Sequence, residues 1–352
     1  MLLTQRQRQV PGAGQRQAPG AVVAQRQAPR LSVRPLNSVR KRAVCKALEI
    51  TGEAYEDIVD QLARRALDTH RHRHQHISGA GSAIDSSTSS TSSSSSSDSD
   101  SGTRPSCLPG CRSAAGCRVV VGIAGAPGSG KTTLAAAVAA RINQLAGQEG
   151  REGQQGREGK APFAAVVPMD GFHYYRRELD EMPDPQEAHA RRGAPWTFDG
   201  VKFVEAVRRV RAAGGAAAAA AGSEEVGPSA GCADVRLPSF DHGLGDPVEG
   251  DIVVAAHTAV VLVEGNYLLL DQEPWRQLRE LFDESWFVSC PRDVITQRLF
   301  ERQTGIGLTP EVSRQRIATN DLPNAQLVAE CGGAGAADVV VPGWVAPREG
   351  GR

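Results

Sequence analysis

The chain has 352 residues, and its 40 Lys and Arg are balanced by 40 Asp and Glu. A net charge of zero argues against a protein built mainly to grip nucleic-acid phosphates. Seven cysteines, an odd and scattered set, exclude a disulfide scaffold, and no apolar run approaches the length of a transmembrane helix. Reduced thiols, a small-molecule partner, and neither nucleic acid nor membrane are the expectations; oligomeric state is not legible.

Residues 1–47 carry no Asp or Glu, yet hold Arg6, Arg8, Arg16, Arg26, Arg30, Arg34, Arg40 and Arg42. An Arg-rich, acid-free stretch without a compact apolar centre reads as an organellar transit peptide. Chloroplast is the first expectation, with mitochondrion, or a basic tail in the cytoplasm, as alternatives. Residues 48–70 read as one amphipathic helix, with Leu48, Ile50, Tyr55, Ile58, Val59, Leu62 and Leu67 on a common face. That face is expected to pack on the folded core. Residues 71–117, with RHRHQH and a Ser-rich run, read as a disordered linker.

The core domain is expected over 118–345, with low-complexity insertions at 147–160 and 212–231 and a tail at 346–352. Apolar strands are expected at Val119–Ala124, Ala164–Met169, Val260–Glu264, Glu284–Ser289 and Ala337–Val341. Helices alternate with them at Thr132–Leu145, Val201–Ala212, Trp275–Leu281, Arg292–Thr304 and Val312–Asn320. Continuous apolar strands between amphipathic helices specify an α/β fold: a parallel sheet of about five strands, covered on both faces.

Three motifs carry chemistry. In VVVGIAGAPGSGKTTLA (119–135), Gly125 is followed after four residues by Gly130-Lys131-Thr132, between a strand and a helix. This is the P-loop pattern in its required context. Gly125, Ala126, Pro127, Gly128, Ser129, Gly130, Lys131, Thr132 and Thr133 are the candidate nucleotide-binding residues. The glycines let successive N–H groups face one anion, and the helix start adds its dipole. Lys131 is placed to reach the β- and γ-phosphates, and Thr132 to ligate Mg²⁺. In VVPMDGFHYYRRELD (166–180), a strand ends at Asp170, where a carboxylate can accept a proton from an attacking hydroxyl. In VVLVEGNYLLL (260–270), a strand ends at Glu264, placed to orient Mg²⁺, with Asn266 and Tyr267 beside it.

In this order, P-loop, MDGFH and VEGNYLL resemble the phosphoribulokinase/uridine kinase family, which includes bacterial-type pantothenate kinase. The resemblance covers about residues 118–342. It implies a P-loop three-layer sandwich with a helical lid, transferring the γ-phosphate of ATP to a substrate hydroxyl with Mg²⁺. By that resemblance Asp170 corresponds to the catalytic base, Lys131 and Thr132 to the P-loop positions, and Glu264 to the second acid.

Further candidates follow. In RRGAPWTFD (191–199), Arg191 and Arg192 are suited to an anionic substrate group, Phe198 to stacking, and Asp199 to capping the next helix. His173, Asp241, His242 and Asn266 are additional substrate candidates. Arg298 and Arg302, four apart on one helix face, are the candidate lid arginines. Asn320 or Asn324 in NDLPN is placed to close the nucleotide site. Cys107, Cys111 and Cys117 form a candidate redox group without zinc-site spacing.

The region reading SFDHGLGDP departs from the YDFxxHxxR-like run of uridine kinases, and the extra features of phosphoribulokinase and the pantothenate pocket are not recognisable. The acceptor is therefore left open among nucleosides, sugar phosphates and vitamin-like molecules. The alternative is a P-loop ATPase or GTPase acting as a switch or regulator. The chain shows no NKxD-like base-reading run, which a GTPase should carry.

Overall fold

The structure is a computed structural model that describes residues 48–49, 54–80, 118–149, 162–213, 233–241 and 243–343. The transit-peptide reading, the Ser-rich run, Cys107, Cys111 and Cys117, His242, the tail and most of both insertions lie outside the described residues.

A short strand β1 (Leu48–Glu49) is followed by helix α1 (Tyr55–Ala80). Next come β2 (Val119–Gly125), α2 (Lys131–Glu149) and β3 (Ala164–Pro168). Helices α3 (Arg176–Asp180), α4 (Pro185–Ala190) and α5 (Gly200–Ala213) precede an antiparallel hairpin, β4 (Val235–Asp241) and β5 (Asp246–Val254). Strands β6 (Val260–Gly265) and β7 (Glu284–Ser289) flank a 3₁₀ segment at Trp275–Glu280. Helices α6 (Arg292–Gly305), α7 (Pro310–Arg316) and α8 (Leu322–Gly332) lead to β8 (Val339–Pro342).

The main sheet has the order β1-β8-β7-β2-β6-β3 and every pair in it is parallel. It is the expected five-strand sheet with two residues of β1 added at one edge. Alternate side chains go to opposite faces, as strand geometry requires. Val119, Val121 and Ile123 meet α1 and α2, through Ile58, Leu62, Ala66, Leu134, Val138 and Ile142. Val120 and Ala124 join Phe203, Val207 and Val210 of α5, with Tyr267 and Trp275, on the other face. The result is a three-layer α/β sandwich.

Several expectations are corrected. Leu48 and Glu49 pair with Val339 and Val340 as a strand instead of starting the helix. Helix α1 continues through residues 71–76, which were read as linker; its extension is held by an Arg71–Asp68 pair at 2.9 Å and an ion pair between Arg73 and Asp283. The expected strands do not include the β4–β5 hairpin, whose pairing register shifts around Pro238, since a proline cannot donate to the ladder. The 312–320 helix is α7 followed by a π turn at Ile317–Asp321. Pro323, which lacks an N–H and crowds the carbonyl four residues back, accounts for the widened turn.

Arg118 anchors the base of β2. Its guanidinium is buried and donates to the carbonyls of Thr258 (2.8 Å), Val210 (2.6 Å), Ala255 (2.9 Å) and Ala256 (2.9 Å).

Candidate active site

The three motifs meet at the carboxyl edge of the sheet because their strands are neighbours. Strand β6 lies between β2 and β3, and Glu264 is in register with Ile123 on one side and Pro168 on the other. The P-loop leaves β2 just beyond Ile123, and Asp170 follows Pro168 by two residues. One carboxylate, Glu264, thus sits between the phosphate cradle and Asp170.

The cradle itself is built by backbone. Gly128 and Gly130 have φ of 76° and 93°, a region other residues rarely adopt. At Gly125 an added Cβ would lie 2.6 Å from Ser129 Oγ. Ser129 Oγ is buried and has no partner among the described residues, an orphan that a phosphate oxygen would satisfy. Lys131 opens α2, with Thr132 and Thr133 exposed on its first turn.

Glu264 is 2% exposed, and its Oε2 has no hydrogen-bond partner among the described residues. Burial pushes its carboxyl up to about 7; the Lys131 ammonium opposes this, the Asp170 carboxylate adds to it, and a hydrogen bond from Thr132 opposes it. Two residues on, Asn266 Oδ1 is also buried with no partner among the described residues. A buried carboxylate beside Lys131 and Thr132 fits a Mg²⁺–phosphate group. Among the described residues no three His, Cys, Asp or Glu side chains converge as a metal cage. Mg²⁺ held by one or two carboxylates and substrate phosphates needs no such cage.

Asp170 lies in a 3₁₀ turn, Met169–Phe172. Its carbonyl accepts from the His173 backbone N–H at 3.2 Å and meets the His173 ring Nδ1 at 2.8 Å. The ring must donate there, because a carbonyl only accepts. His173 is sandwiched between Phe198 and Phe240, at centroid distances of 3.9 and 4.8 Å. Sterics fix the turn from both sides: a Cβ on Gly171 would sit 2.1 Å from the Pro238 carbonyl oxygen, and one on Gly265 would sit 2.6 Å from Met169 Cβ.

The 191–199 loop closes this side. Asp199 caps α5, accepting from the Lys202 N–H at 2.9 Å, as expected. Two substrate assignments are corrected here. Phe198 is 3% exposed and packs edge-on to Tyr267 and Trp275, so it is core and not a stacking platform. Arg192 donates to the carbonyls of Tyr174 (2.8 Å) and Gly245 and to Asp246 (3.0 Å), so it ties the loop to the hairpin. Asp241, exposed at the end of β4, accepts from the backbone of Gly243 (2.7 Å) and Leu244 (3.0 Å) and shapes its own turn. Asn320 and Asn324 engage the 191–199 loop. Asn320 accepts from Arg191 at 3.2 Å and donates to the Arg192 carbonyl at 2.9 Å, and Asn324 donates to Asn320. Tyr267 donates to the Gly193 carbonyl at 2.5 Å from the core side.

Helix α6 covers the P-loop, with Ile295 and Leu299 packed on Ala126. Arg298 donates to the Ser129 carbonyl at 3.2 Å, which lays it on the loop backbone. Arg302 is exposed, and with Arg316 it draws down the carboxyl of Asp321, which burial raises. Sequence reasoning missed the buried chain Ser313–Gln303–Asp321, at 3.1 and 2.8 Å, which ties α6 to the π turn. No local motif announces it.

A phosphate cradle after β2, acids at the ends of β3 and β6 and a helix over the loop define a P-loop kinase. Two relatives bear on which kind. A Schizosaccharomyces pombe protein named "Putative uridine kinase" is 35% identical over 213 residues, 60% of this chain and 78% of its own length. An "ATP-dependent kinase-like protein" of Aspergillus versicolor is 39% identical over 159 residues, 45% of this chain and 84% of its own. The chain belongs to the phosphoribulokinase/uridine kinase family of P-loop kinases. Among solved structures, a Silicibacter protein described as a "putative fructose transport system kinase" is 31% identical with a TM-score of 0.49, covering 65% of this chain and 90% of that one. No family model matches the chain.

Proposed function

We propose that the protein transfers the γ-phosphate of ATP to a hydroxyl of a small molecule, with Asp170 as the base. The observation behind this reading is the placement of Glu264 in register between the P-loop strand and the Asp170 strand. ATP-dependent phosphotransfer follows from the family; the hydroxyl acceptor, the small-molecule class and the residue roles are the proposal. Lys131 neutralises charge on the β- and γ-phosphates. Asp170 takes the proton as the acceptor oxygen bonds to the γ-phosphorus and ADP leaves. Thr132 and Glu264 would hold Mg²⁺, which when bound neutralises phosphate charge.

The test is ATP turnover across nucleosides, sugar phosphates, vitamins and hydroxy acids. Asp170→Asn should lower acceptor-dependent transfer by about 10²–10⁴-fold while ATP still binds. Acceptor-dependent turnover that survives this change rules out Asp170 as the base. As a separate proposal, residues 1–47 direct import into the chloroplast; a fluorescent fusion of this segment that stays in the cytosol would refute it.

A further inference from the structure

Sheet order divides the nucleotide site in two. Strands β6 and β3, bearing Glu264 and leading to Asp170, lie on one side of β2; β7 and β8 lie on the other. The chemistry proposed above occupies the β6/β3 side. A nucleotide with its γ-phosphate there and its phosphate chain on the P-loop must carry its base towards β7 and β8. A cavity of about 260 Å³ lies on that side. It is lined by Ser129, Gly130, Thr133 and Leu134 of the P-loop and α2, by Val288 and Pro342 at the ends of β7 and β8, by Arg298, and by Tyr55 and Ile58 of α1.

We propose that α1 forms the end wall of the nucleobase pocket and that Tyr55 is the residue against which the base of ATP stacks. This rests on the kinase reading and extends it to an element outside every motif. The volume lies just below that of pockets holding a whole drug-sized ligand, about 300–1,000 Å³, so it suits a base with its phosphates lying outside on the loop. The chemistry also matches. Tyr55 supplies a π-face, Ile58, Leu134 and Val288 supply apolar wall, and Arg298 supplies a charged side chain in the lining. Bases stack on aromatic rings and on guanidinium planes. Among the described residues no carboxylate lines the cavity to repel the phosphates. The wall is firmly held: Asp60, one turn beyond Tyr55, accepts from Arg141 of α2 at 2.7 Å, and Arg65 donates to Glu284 of β7 at 2.7 Å.

The test is equilibrium binding of Mg·ATP and of Mg·tripolyphosphate, which has the phosphates without the base, to the full-length protein. Tyr55→Ala should weaken ATP about tenfold or more and leave tripolyphosphate unchanged. Tyr55→Phe should restore ATP binding to within about twofold, since it keeps the ring. Unchanged ATP binding in Tyr55→Ala, or equal weakening of both ligands, overturns this inference alone. Wild-type protein that binds neither ligand overturns the kinase reading and this inference with it.

Discussion

Gly171→Ala adds one carbon at the most constrained point of the site. The new Cβ would stand 2.1 Å from the Pro238 carbonyl oxygen, where real Cβ contacts essentially never come under 3.0 Å. Both partners are backbone, so rotamer change gives no relief. Either the Met169–Phe172 turn or strand β4 must retreat by about 1 Å. Overpacking of this kind costs about 1–3 kcal/mol. If the turn gives way, Asp170 moves with it, and a displacement of about 1 Å can cost about 100-fold in rate. Urea unfolding measures the first effect, and ATP turnover with a competent acceptor measures the second. Gly305→Ala is the control: it ends α6 with nothing within 4 Å of its added Cβ, and it should be neutral or stabilising by up to about 1 kcal/mol. A Gly171→Ala protein with wild-type stability and turnover would refute the argument that the hairpin clamps the turn.

Glu264→Gln should stabilise the ligand-free protein at pH 8 in chelator. The folded-state carboxyl titrates near 7 rather than 4.5, so wild-type stability is full below about pH 4.5 and falls as pH rises through 7, by about 3 kcal/mol. The gain from Gln should vanish by pH 4.5, and an equal difference at both pH values would contradict it. Arg118→Met strands four carbonyl acceptors and should cost about 3–5 kcal/mol in urea unfolding; a loss under 1 kcal/mol would show that they are satisfied otherwise. Tyr267→Phe removes the hydrogen bond to Gly193 and should cost about 1–2 kcal/mol in urea unfolding. An unchanged unfolding midpoint would show that this bond does not hold the 191–199 loop.

The Lys131, Asp170 and Glu264 motifs were legible because each is contiguous: an apolar strand and the turn that ends it lie within about fifteen residues. Strand order explains why they converge, and the alternating apolar runs implied a covered parallel sheet. The hairpin was not legible, because Pro238 and the 241–247 turn residues read as loop, and only pairing across β4 and β5 reveals strands. Helix α1 was underestimated at its far end, where polar residues hide a tether to Asp283 that sequence spacing cannot show.

Roles assigned by residue type proved the least secure. An arginine or a phenylalanine beside a site reads as ligand-binding from sequence, yet Arg192 and Phe198 spend their polar and apolar surfaces on the protein itself. By itself, then, the sequence determined the phosphate cradle, the two acids and the sheet, because these depend on neighbours along the chain. Only the tertiary structure decided which side chains are engaged within the protein and that Tyr55 and Thr133 line one cavity, because contacts between segments far apart in the chain leave no local periodicity to read.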